Sequence, residues 1–172
     1  MMNLRTIAIS TALVLILAAC GTEDGVAGDS FDLDATLAVS CGDSVFFFTT
    51  TDGTRQFVID APGLASRATA SGTVEETYAF DAEGITITYR TGTDLAGLAC
   101  NDAISVLPVV AESLSPISGS LTLTASTNPE RQNDPGQQFA LVTLDITSLE
   151  FEGFGIVTPF EIEELTIGWL PG

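Results

Sequence analysis

The chain has no histidine and no lysine anywhere in its 172 residues. Without histidine there is no Ser-His-Asp or Cys-His arrangement, no imidazole general base and no imidazole metal ligand. Without lysine, Schiff-base chemistry is excluded as well. No G-x-S-x-G elbow, Walker loop, dinucleotide fingerprint or C-x-x-C redox pair occurs. Positive charge is scarce: five arginines stand against 23 Asp and Glu, a formal net charge of −18. Such a surface repels phosphates, which disfavours nucleic acid and anionic headgroups and favours cations or basic protein partners. The same charge also serves simple solubility. A long apolar run is missing too. The N-terminal one, Thr6 to Ala19, has 14 residues, short of the roughly 17–25 that a membrane-spanning helix needs.

What is present begins at that run. Met1 to Leu4 and the single positive charge of Arg5 precede it, and Leu17-Ala18-Ala19-Cys20 closes it. This order of a basic end, an apolar stretch and small residues is that of an export signal. The Leu-Ala-Ala-Cys sequence resembles the lipobox of bacterial lipoprotein signal peptides. The resemblance covers residues 1–20 only. It implies cleavage of 1–19 as a signal peptide and a diacylglyceryl group on the Cys20 thiol, with acylation of the new amino group in many bacteria. Two or more acyl chains hold a protein stably at a membrane, where one gives marginal binding. Gly21 stands where an aspartate retains many such lipoproteins at the inner membrane, so the resemblance favours the outer membrane of the cell envelope.

Residues 20–30 form the lipidated cysteine and its tether, since Gly21 to Ser30 is small, polar and acidic. Residues 31–172 are expected to be a single domain. The remaining 153 residues keep four arginines against 23 acids, a formal charge of −19. Hydrophobic residues make up 45% of the chain and the acids are dispersed among them, which describes a folded domain and not a disordered one. With Cys20 assigned to lipid, Cys41 and Cys100 form an even pair, read in an exported protein as a disulfide. The loop of about 60 residues that it closes corresponds to roughly 4 kcal/mol in the chain-entropy model.

Phe31, Leu33, Ala35, Leu37, Val39 and Cys41 alternate with smaller or polar residues, a period of two that predicts a strand with this set on the core side. It would place Cys41 inward, as an inter-sheet disulfide requires. Ser44–Thr51 and Arg55–Asp60 flank an Asp52-Gly53 turn and predict an antiparallel hairpin. The run Phe46-Phe47-Phe48 predicts burial on both faces or a covered edge. Residues 61–72, with Pro62 and two glycines, read as a loop. Thr73–Phe80 and Ile85–Thr91 are expected to form a second hairpin about Asp81 to Gly84. Asp102 to Ser115 is open between strand and helical turn, Ser118–Thr127 alternates, and Asn128 to Gln138 is a loop. In Phe139–Phe151 the apolar parity changes near Ser148, and in Ile156–Leu170 near Glu163-Glu164, each predicting a bulge or bend. Eight to ten short strands and no capped helix make this an all-β protein, an antiparallel β-sandwich or partly closed barrel.

Candidate sites are few. Ala38 to Val45 and Gly97 to Ile104 echo each other, each with a cysteine followed two residues later by an aspartate. With the cysteines bonded, Asp43, Asp102 and Asn101 would approach and offer oxygen ligands to Ca²⁺, although Asp and Asn also simply make good turns. Glu75, Glu76, Glu150, Glu152, Glu161, Glu163 and Glu164 supply carboxylates from which a glycoside hydrolase pair could be drawn. The aromatic residues read mainly as core, with a ligand groove as the alternative. The expected function is a non-catalytic envelope lipoprotein whose acidic sandwich serves binding, interaction or structure. A Ca²⁺ or small-ligand module and a carboxylate-dependent hydrolase are the alternatives.

Overall fold

A computed structural model describes residues 31, 36–42, 44–100, 107–131, 139–157 and 160–168. Ten strands are assigned among them: β1 Thr36–Cys41, β2 Val45–Thr50, β3 Arg55–Asp60, β4 Thr73–Ala79, β5 Thr86–Thr93, β6 Val109–Leu114, β7 Pro116–Thr127, β8 Phe139–Phe151, β9 Gly155–Val157 and β10 Phe160–Gly168. One helix, α1 Leu64–Ser71, lies between β3 and β4. Sheet A has the order β1-β2-β3-β5-β6, and sheet B the order β10-β8-β7-β4 with β9 pairing β8. Every pairing is antiparallel. The architecture is the β-sandwich read from the sequence, without closure into a barrel.

The strand parities explain how the sheets face one another. Phe46, Ile59 and Ile87 are register partners across β2, β3 and β5, as are Phe48, Phe57 and Tyr89. All six are buried in the main core. Sheet B answers with Leu121, Leu123 and Ala125 of β7, opposite Ile146, Leu144 and Val142 of β8. Both expected bulges are present. Ser120 pairs Ser148 while Leu121 pairs Ile146, so Thr147 is the extra residue that lets Leu149 and Phe151 stay inward. In β10 the register shifts between Ile162 and Leu165, with Glu164 at φ 61, and both apolar residues pack against the core. Gly119, at φ 107 beside the first bulge, admits no side chain, because a Cβ there would sit 2.0 Å from the Ser148 carbonyl oxygen.

Three expectations are corrected. Residues 61–72 contain a helix, not just a loop. Its caps are glycines, Gly63 at φ 75 and Gly72 at φ 87, with no side-chain N-cap. Two turns alone are marginal in water; this helix holds because Leu64, Ala65 and Ala68 are buried in the core. The second expected hairpin is not one: β4 pairs β7 in sheet B, whereas β5 pairs β3 and β6 in sheet A. Helix α1 carries the chain from one sheet to the other, and the turn after β4 brings it back. A local turn signal is the same for a hairpin and for such a crossing.

The third correction concerns β1. Phe31 is buried as expected, but Leu37, Val39 and Cys41 do not face the core. Their partners are Thr49, Phe47 and Val45, which lie on the side of β2 opposite Phe46 and Phe48. Leu37 is 58% and Val39 41% exposed. Ala38 and Ser40 share the side of Phe48 and Phe46, Ala38 exposed and Ser40 half-buried where the edge of sheet B comes close: the Ser40 hydroxyl donates to the Thr166 carbonyl and Gly168 N–H to the Gly42 carbonyl. The residues 32–35 of the same alternating run, the 132–138 part of the predicted loop and Trp169 lie outside the described residues. Of the open stretch Asp102 to Ser115, Val109–Leu114 is a strand.

Candidate functional site

Cys41 and Cys100 are bonded, with Cα atoms 5.6 Å apart. Cys41 ends β1, and Cys100 follows a 3₁₀ turn at Leu95–Leu98 in the connection from β5 to β6. Both ends of the bond therefore belong to sheet A and its connections, so it crosses a face of that sheet instead of joining the two sheets. On that outer face Leu95 N–H donates to the Gly53 carbonyl at 3.0 Å, and the Gln56 side-chain amide donates to the Leu95 carbonyl at 2.9 Å. The segment 94–100 thus starts over the Thr49–Gln56 row and ends at the Cys41–Val45 row. Between these lies the row Val39–Phe47–Val58. Phe47, Val58 and Leu95 are buried yet are not part of the main core cluster. Phe47 and Val58 on the sheet and Leu95 on the segment form a second, smaller apolar layer between the two.

Gln56 is the polar member of this layer. Its Nε2 also donates to Thr49 Oγ1 at 3.0 Å, while its Oε1 is buried without a hydrogen-bond partner. A buried unpaired amide oxygen is unusual in a folded protein. The sequence marked this site through the Cys41–Cys100 pair and through Gln56, a polar residue beside Phe57, Val58 and Ile59, but it carried no local signal that segment 94–100 lies over sheet A.

Cys20, Asp43, Asn101 and Asp102 lie outside the described residues, as does the side chain of Glu163. Among the described residues no group of three His, Cys, Asp or Glu is placed to hold a metal ion. The other carboxylates named from sequence are dispersed over β4, β8, β10 and the β8–β9 turn. Among the described residues Glu150 accepts from the Ser118 hydroxyl, and Glu76 is tied into a larger network. Arg67 of α1 grips it with two bonds, Nε to Oε1 at 2.9 Å and Nη2 to Oε2 at 2.7 Å, and Tyr78 donates its hydroxyl to Oε2. Arg67 Nη1 also donates to the Pro62 carbonyl at 2.6 Å. The Arg67 hydrogen bonds hold the Glu76 carboxyl below its ordinary pKa. Burial first, then the Glu76 hydrogen bond and charge, push the Tyr78 phenol up to about 12. This cluster fastens the helix to an edge strand.

A cleft of about 210 Å³ opens at the seam of β1 and β10, lined by Ser40, Arg131, Phe139, Thr166, Ile167 and Gly168. The Arg131 guanidinium lies 4.7 Å from the Phe139 ring centroid, a cation–π contact. Its volume is below the roughly 300–1,000 Å³ of small-molecule sites. The aromatics meanwhile serve the core: Phe31, Phe57, Tyr89, Phe151 and Phe154 pack on one another, with Tyr89 and Phe154 stacked at 3.9 Å. No family model matches the chain, and no curated protein or solved structure proves similar to it.

Proposed function

We propose that this is a non-catalytic bacterial envelope lipoprotein, anchored through lipid on Cys20 and displaying an acidic β-sandwich for binding, interaction or a structural role. The observation that carries the reading is Leu17-Ala18-Ala19-Cys20 at the end of a short apolar run, followed by a ten-residue polar stretch, Gly21 to Ser30. Burial of Phe31 supports a domain that begins where that stretch ends. The mature chain's excess of carboxylates favours a basic protein or a cation as its counterpart, and the membrane is reached through the lipid, with the outer membrane favoured. Metabolic labelling with an alkyne fatty acid tests the anchor. Wild type is expected to label and to fractionate with membranes, and Cys20→Ala to do neither; unchanged labelling of the variant refutes the reading.

A cation-binding role is the second reading. Cys41 and Cys100, each followed two residues later in the sequence by an aspartate, have Cα atoms 5.6 Å apart, and with Asn101 these carboxylates supply the hard oxygen ligands that Ca²⁺ takes. A thermal melt at millimolar Ca²⁺ decides it. Binding raises Tm by mass action, and a shift below about 1 °C, on the order of 0.3–0.5 kcal/mol for a domain of this size, rejects it.

A further inference from the structure

We infer that the Cys41–Cys100 disulfide is a redox latch, whose reduction by a dithiol releases the segment 94–100 from the outer face of sheet A and uncovers the apolar layer beneath it. Four observations converge. Cys100 is exposed and Cys41 half-buried, which puts the cystine at the surface of the protein. Both ends of the segment, Asp94 at φ 54 and Cys100 at φ 52, hold a left-handed conformation, one that aspartate tolerates and that is uncommon for cysteine. Beside the disulfide, Leu95 ties the segment down, its N–H donating to the Gly53 carbonyl of the β2–β3 turn and its carbonyl accepting from the Gln56 amide, while Gln56 Oε1 stays buried and unpaired among the described residues. The layer it covers is separate from the main core, so the sandwich keeps its own packing when the segment lifts. Phe47 and Val58, now 8% and 6% exposed, would then join Leu37 and Val39 in one continuous apolar strip.

The chemistry balances as ordinary thiol–disulfide exchange. A thiolate of the dithiol attacks Cys100 Sγ, and Cys41 leaves as a thiolate that takes up a proton. The second thiol of the reductant then attacks the mixed disulfide, releasing Cys100 as a thiol. The reductant ends as its own disulfide, oxidised by two electrons, and the protein cystine is reduced by two.

Hydrogen exchange followed by mass spectrometry on the full chain, oxidised or treated with dithiothreitol, tests the inference, and it reads the latch whether or not Cys20 carries lipid. Reduction is expected to speed exchange across 94–100 at least tenfold, including the amides of Leu95, Gly97 and Ala99, while β7 and β8 change less than threefold. Cys41→Ser/Cys100→Ser should show the same pattern without reductant. If that variant does not fold, reduction of the folded oxidised protein still decides. Retained protection of the segment after reduction overturns the inference. So does loss of protection in β7 and β8 in step with it, or a bond that native dithiothreitol leaves intact.

Discussion

Removing the Glu76 carboxylate should loosen α1 from β4 by an amount that the geometry bounds. Glu76 is gripped twice by Arg67 and once by Tyr78, but the side chains of Arg67 and Glu76 are 40% and 28% exposed. Exposed ion pairs are worth about 0.2–1 kcal/mol, with bidentate arginine–carboxylate pairs at the upper end. A double-mutant cycle of Glu76→Gln and Arg67→Met should therefore give a coupling of about 1 kcal/mol. Each single variant should cost about 1–2 kcal/mol, because it also leaves its partner without a counterpart. In a domain of this size that is a fall in Tm of about 2–8 °C. Urea denaturation of the four proteins measures the coupling. The pH dependence has a fixed sign. Glu76 has a folded-state pKa below its ordinary 4.5, so its contribution is complete above that value and fades as pH falls through the depressed one. The stability gap between wild type and Glu76→Gln should hence narrow in acid. A coupling under about 0.3 kcal/mol, or a gap that does not change with pH, refutes the clamp.

Other sites give sharper contrasts. Leu123, fully buried between the sheets, should cost about 2–5 kcal/mol when changed to alanine, whereas Leu107, 80% exposed, should cost less than about 0.5 kcal/mol; urea midpoints separate the two. Gly119→Ala should destabilise by about 1–3 kcal/mol through its positive φ and the Ser148 carbonyl, and equal or smaller loss than at Gly84→Ala, where φ is +85 but the space is open, would show that the clash is not felt. Asp52 accepts hydrogen bonds from the Thr50 hydroxyl at 2.6 Å and from the Thr54 N–H and hydroxyl, which lower its pKa to about 2. An NMR titration should find it ionised down to about pH 2, with Thr50→Val raising the midpoint; a midpoint near 4 in wild type contradicts the turn geometry. The stabilisation from this turn is present above pH 3.8 and is lost as pH falls through about 2.

Much of the architecture was legible because its signals are local. The Asp52-Gly53 turn defines its hairpin within a few residues, and the parity changes at Ser148 and Glu163-Glu164 mark real bulges. Leu121, Leu123 and Ala125 show their buried face by alternation alone. The misreadings share one cause. Helix α1 has no polar N-cap and spans two turns, and its stability comes from residues distant in sequence. The β4–β5 turn looks like a hairpin because pairing depends on which sheet edge is free, a property of the assembled sheets. In β1 the period of two sets Leu37, Val39 and Cys41 apart from Ala38 and Ser40, but periodicity identifies a distinct face without saying what lies on either side of it, and Leu37 and Val39 are exposed.

For this protein, then, the sequence by itself determined the all-β class, the acidic surface and the pairing of Cys41 with Cys100. Composition and a period of two carry the first two, and cysteine parity carries the third once Cys20 is set aside for the lipid the resemblance implies. The tertiary structure alone decided that the disulfide straps a connection across the outer face of sheet A, that Gln56 lies beneath that strap, and that Arg67 meets Glu76. Each of these depends on segments brought together across the sheets, where packing and the close approach of edges choose which face of a strand is covered.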